Sequence, residues 1–271
     1  MKTIIFVLTL ICLTLAEFPR SVSRRQRHLS PSPRILGGNL AEPHSMPYQA
    51  FLEFYTETSG RYCGGSVISQ NYVLTSAACA NNTVEVLVTL GAHDIFLTES
   101  TQINVFSTDI IVHEHYGEDY GRLNDIAVVK LPKTIDYTFA IQPITLPKRA
   151  DIDTVYIGVV GRVAGWAIDD GFISDKLFDI LRYFDTTVLS SLDEACRDHN
   201  LPGTMFCTSG EFEGVYVSPC DGDTGGGFVV DGVLVGIVSY SVYCVESLPA
   251  FHTKVVNYLD WIGDNTDVVI E

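Results

Sequence analysis

The chain has 271 residues, 46% of them hydrophobic, with 17 Lys+Arg against 33 Asp+Glu and a net charge of −16. That apolar share suffices for a packed core. The acidic balance argues against nucleic acid or an anionic membrane as a partner and favours a basic one.

The elements follow in chain order. Lys2 precedes an apolar run from Ile4 to Leu15, broken by Thr9 and Thr14 and followed by Ala16, so residues 1–16 read as a secretory signal peptide. The run is too short for a retained membrane span, no later stretch of about 18 apolar residues occurs, and a soluble, secreted protein is expected. Residues 17–34 carry Arg20, Arg24, Arg25, Arg27 and Arg34 against Glu17, with Pro31 and Pro33. That is the composition of a disordered or processed basic propeptide. From Ile35 the balance reverses to 11 Lys+Arg against 32 Asp+Glu, a net of −21.

Residues 35–271 are long enough for one large all-β unit. Short β-branched and aromatic runs recur between turn residues at 48–54, 84–90, 126–131, 155–160 and 227–240, as in a sandwich or a pair of barrels. Val255, Val256, Leu259 and Ile262 fall at helical spacing and predict a C-terminal docking helix. Cys12 leaves with the signal, and Cys63, Cys79, Cys196, Cys207, Cys220 and Cys244 remain. An even count in an oxidising compartment argues for three disulfides, with 15 pairings open. No Cys-x-x-Cys pair occurs and no histidine stands at ligand spacing from a cysteine, so neither metal nor cofactor is expected. Asn81-Asn82-Thr83 is a glycosylation sequon at Asn81.

The stretch Pro219-Cys220-Asp221-Gly222-Asp223-Thr224-Gly225-Gly226-Gly227 admits three readings. A phosphate loop needs a lysine where Asp223 stands and a helix where an apolar strand pattern follows. An aspartic protease needs two carboxylates sharing a proton, yet Asp-Thr-Gly occurs once. The third reading is a nucleophile loop with threonine in place of serine.

The third reading gathers support along the chain. RILGG at 34–38, CGGSVISQNYVLTSAAC at 63–79, NDIAVVKL at 124–131, GW at 165–166, CDGDTGGG at 220–227 and TKV at 253–255 follow the order found in chymotrypsin- and trypsin-like serine proteases. The chain resembles that family from Arg34 onward. The resemblance implies two six-stranded antiparallel β-barrels with a C-terminal α-helix and a cleft between the barrels. It also implies pairings Cys63 with Cys79, Cys196 with Cys207 and Cys220 with Cys244. Arg34-Ile35 resembles the activation site, cut by another protease to free an α-amino group that pairs with Asp223. Gly222 and Thr224 would supply the anion-hole amides. Ser218 would sit at the base of a neutral pocket, with Ser241 and Ala250 on its walls and Ser239-Tyr240-Ser241 at a peptide-pairing edge. Ala92, where calcium-binding members carry glutamate, implies no calcium loop.

The departures bear on activity. The family pattern Thr-Ala-Ala-His-Cys is matched by Thr75-Ser76-Ala77-Ala78-Cys79, so Ala78 stands at the general-base position. Thr224 stands at the nucleophile position, and only the acid, Asp125, is kept. A hydroxyl needs a base to take its proton and return it to the leaving amine, which alanine cannot do. None of the seven histidines (28, 44, 93, 113, 115, 199 and 252) lies in the base segment, although His93 and His113 fall where active relatives often carry one. The reading is an inactive homologue, monomeric, acting by protein or peptide binding as a cascade cofactor, an inhibitor decoy, or a salivary, venom or immune component. The alternatives are a chymotrypsin- or elastase-like endopeptidase with weak activity through Thr224, and a storage or structural secreted protein.

Overall fold

The computed structural model describes residues 38–118, 123–167, 177–241 and 248–271. The signal peptide, the basic segment, Arg34, Ile35 and Cys244 lie outside them.

Strand β1 (Asn39–Leu40) precedes the first sheet, which comprises β2 (Gln49–Tyr55), β3 (Gly60–Val67), β4 (Tyr72–Thr75), β5 (Glu85–Leu90), β6 (Ile103–Ser107), β7 (Ile110–Val112) and β8 (Ala127–Lys130). Its order is β6-β5-β2-β3-β4-β8-β7, all antiparallel. The side-chain period of two explains the layering of β2. Ala50, Leu52 and Phe54 enter a core with Val86, Val88 and Val129, while Phe51 points the other way against Trp166 and Leu181.

The second sheet holds β9 (Val160–Gly165), β10 (Arg182–Leu189), β11 (Met205–Thr208), β14 (Gly227–Val230), β15 (Val233–Ser241) and β16 (Ala250–Lys254), with β1 added to β10. A small hairpin, β12 (Glu211–Phe212) with β13 (Val215–Tyr216), stands apart. Because β9 pairs with both β10 and β14, six strands close into a barrel around Val163, Phe184, Phe206, Phe228 and Val238. Within it His252 is fully buried, 5.0 Å from the Phe206 ring, with Nε2 3.0 Å from Thr208 Oγ1. Burial pushes its pKa down to about 3, so it is a neutral core residue.

The expected all-β architecture and short C-terminal helix are present, with one difference. The first sheet is a curled half-barrel, because its end strands β6 and β7 do not pair with each other. At the end of β6 the Ser107 hydroxyl donates to Lys130 O of β8 and accepts from the Asp109 N–H in the connection to β7. Two runs also differ from the sequence pattern. Residues 155–159 are not a strand: Val155 and Ile157 are exposed, and the Val159 N–H turns back to Tyr156 O. The run 227–240 is two strands joined at Asp231-Gly232, both at positive φ, the dipeptide a tight hairpin favours.

The C-terminal helix α2 (Leu259–Asn265) follows one 3₁₀ turn, so Val255, Val256, Leu259 and Ile262 all reach a shared core with Ile126, Val128, Leu234 and Ile237. That cluster joins the two sheets. No described helix is long and apolar enough to cross a membrane.

Candidate functional site

Between the sheets lies a cleft of about 590 Å³, lined among others by Ala78, Gly222, Thr224, Ser239, Tyr240 and Ser241. Residues more than a hundred positions apart in sequence therefore share one wall system.

Ala78 sits on a one-turn helix, α1 (Ala77–Ala80), opened by Ser76, whose Oγ accepts from the Cys79 N–H. The Cys63–Cys79 disulfide ties that turn to β3. Beneath it Asp125 is fully buried. Its Oδ1 accepts the Ala78 N–H at 2.7 Å and its Oδ2 accepts the Ser239 hydroxyl at 2.5 Å. These bonds fix the carboxylate directly under residue 78 and under the cleft wall. The backbone is held as well, since Thr253 Oγ1 donates to Asp125 O at 3.0 Å.

The loop carrying Thr224 is shaped by close backbone approach. The Gly64 N–H donates to Thr224 O and the Gly225 N–H to Val238 O, both at 2.8 Å. Gly225 has φ +86°, and a Cβ there would strike Thr75 Oγ1 and Gly64 O, so only glycine fits. Thr224 is left partly exposed in the cleft. The N–H groups of Gly222 and Thr224 donate to no described residue, so two backbone dipoles remain available to a ligand oxygen.

Asp223 turns away from the cleft and is completely buried. Its Oδ2 accepts from the Cys220 N–H at 3.0 Å, while Oδ1 has no hydrogen-bond partner among the described residues. Burial pushes its pKa up to about 7, against the lowering effect of the Cys220 and Ala167 N–H groups. A buried carboxylate is costly unless a cation or further hydrogen bonds offset it. The expected partner, the amino group of Ile35, falls outside the described residues.

The remaining sequence-level expectations divide. Cys63–Cys79 and Cys196–Cys207 are bonded, whereas the third pairing involves Cys244 and lies outside the described residues. Ser218 and Ala250 are buried outside the cleft lining, with Ser218 Oγ donating to Pro219 O. Asn81 ends α1 on a partly exposed turn. None of the six described histidines lines the cleft. His113 instead stacks on Trp261, and His93 O accepts the Trp166 Nε1–H.

Arg61, Tyr62 and Tyr116, which no sequence motif marks, also line the cleft, and Arg61 donates to Ala78 O at 2.8 Å. The signal was present: Arg61 stands two residues before Cys63, which is bonded to the neighbour of Ala78.

Comparison with known proteins agrees with this geometry. Residues 35–262 match the family model described as Trypsin. The chain is 35% identical to Chymotrypsin of Phaedon cochleariae over 98% of its length and 99% of that protein. It is 36% identical to Brachyurin of Leptuca pugilator, covering 86% and 99%. It is 31% identical to Collagenase of Hypoderma lineatum, covering 98% of each. A solved structure of HL collagenase aligns with a TM-score of 0.75 at 31% identity, covering 87% of this chain and 100% of that one.

Proposed function

The chain belongs to the trypsin family of serine proteases, and from that premise we propose that it is a secreted, catalytically silent member acting by binding a protein or peptide in its cleft. The observation that carries this reading is Ala78. Its N–H is bonded to the buried acid and its side chain faces the cleft, so a methyl group stands where a proton acceptor would have to be. A hydroxyl cannot attack an amide at neutral pH without such an acceptor, and removing the base alone costs roughly 10⁶-fold in subtilisin. Thr224 keeps an oxygen but adds a methyl that restricts χ1 in a tight loop.

Binding needs none of the lost groups. The N–H groups of Gly222 and Thr224, which donate to no described residue, can donate to a carbonyl oxygen, and Ser239 to Ser241 offer an edge for an extended peptide. A net charge of −16 favours a basic partner. Export follows from the leader of residues 1–16, and the bonded cysteines suit an oxidising compartment. Release of the basic segment by a cut after Arg34, and a glycan on Asn81, belong to the same reading.

The second reading, a weak endopeptidase working through Thr224, is favoured by the names of the relatives, several of which are called for proteases. The two separate in one assay. Protein cut after Arg34 is titrated against fluorescent p-nitroanilide peptides bearing small or medium apolar side chains. Saturable binding is expected, with no nitroaniline release above the buffer rate. Turnover proportional to protein, or no binding by any peptide, overturns the proposal.

A further inference from the structure

Away from the cleft, the closed barrel carries a second groove of about 270 Å³. Its walls include Val155, Ile157, Leu189, Leu201 and Met205, and Lys254 lines it as well. Val155 is 71% exposed and Ile157 56%, while Leu192, beside the lining residue Ser191, is 83% exposed. So many large aliphatic groups on one face mark a contact surface rather than chance exposure.

Lys254 is the unusual member. It is half-buried, and among the described residues its ammonium makes no ion pair or hydrogen bond, in a chain with nearly twice as many acids as bases. Burial holds its pKa below the usual lysine value, and no carboxylate offsets that effect. A half-desolvated cation without a partner favours an anion in the groove.

The backbone narrows the choice of anion. The Gly158 N–H donates to Val188 O, Val188 N–H to Val159 O, Met205 N–H to Pro202 O and Lys254 N–H to Thr204 O. These four N–H groups are paired internally and are not available to an added peptide strand. The groove is also smaller than the about 300–1,000 Å³ usual for drug-sized ligands, which suits a slim chain.

We propose that this groove binds a medium-chain aliphatic carboxylate, its chain along Val155, Ile157, Leu201 and Met205 and its head on the Lys254 ammonium. The apolar walls supply affinity and the single cation selects the head group.

Calorimetric titration of the secreted protein with decanoate tests this, with decanol as the neutral control. One-to-one binding of decanoate is expected, weakened roughly tenfold or more in Lys254→Gln, while decanol binds both proteins within about twofold. Val155→Asp, at an exposed site that folding does not require, is expected to weaken both ligands. Absence of decanoate binding at millimolar concentration, or equal decanoate affinity in Lys254→Gln, overturns the proposal. Because Lys254 lies outside the cleft, neither result depends on whether the cleft is catalytically silent.

Discussion

The double substitution Ala78→His with Thr224→Ser is expected to convert a protein with no peptidase turnover into one that hydrolyses apolar peptide substrates roughly 10⁴-fold faster or more. The scaffold for the mechanism is already in place. Asp125 is buried, oriented by the Ala78 N–H and the Ser239 hydroxyl, and an imidazole at 78 would project from the cleft wall above it. The amides of Gly222 and Thr224 donate to no described residue and can receive the oxyanion. Each single change is expected to stay near the silent level, because base and nucleophile act as a unit. In the double variant, Asp125→Asn should remove about 10⁴-fold of the gain, since it leaves imidazole in the wrong tautomer. Steady-state hydrolysis of a p-nitroanilide peptide reads all five proteins, the natural chain included. A folded double variant that binds peptide yet does not turn over would mean that more than these two side chains has been lost.

Cutting after Arg34 is expected to raise Tm by about 10 °C at pH 7, for a domain of this size gaining roughly 4 kcal/mol. The cause is Asp223, whose pKa is pushed from 3.8 up to about 7 by complete burial. A carboxyl with a raised folded pKa favours folding below its unfolded value and loses that contribution as pH rises from about 4 through 7. Near pH 7 the uncut chain therefore carries a nearly full deficit, which a new α-ammonium beside Oδ1 would remove. Near pH 4 the carboxyl is protonated in the folded chain, and cutting should change Tm little. Differential scanning calorimetry of cut and uncut protein at both pH values measures this. In Asp223→Asn the pH 7 gain is expected to vanish, and an equal gain in that variant would exclude Asp223 as its source.

Local rules made much of this molecule legible. The β-branched and aromatic run at 48–54 becomes strand β2, and the glycines around Thr224 permit the close backbone approach of that loop, so each reports a local constraint. Features set by closure were not legible. Nothing in residues 103–112 says that β6 and β7 will stay unpaired at the two ends of the sheet, or that the Ser107 hydroxyl will bond Lys130 O of β8. Val155 and Ile157 look like strand residues because β-branching reports fit to a half-buried surface, and here that surface is left open. Arg61 is not legible as a cleft residue, because its partner is the Ala78 carbonyl, which sequence does not display. Ser218 sits beside the cleft rather than in its lining, a matter of one residue in a loop whose neighbours include Pro219 and Cys220.

The most direct measurement is intact-protein mass after exposure of the protein cut at Arg34 to a hydroxyl-directed fluorophosphonate, with the Ala78→His, Thr224→Ser double variant beside it. The account predicts an unmodified mass for the natural chain and stoichiometric labelling of the variant at residue 224. Stoichiometric labelling of the natural chain at Thr224 would contradict it, because it would reveal an activated nucleophile that Ala78 leaves without a base.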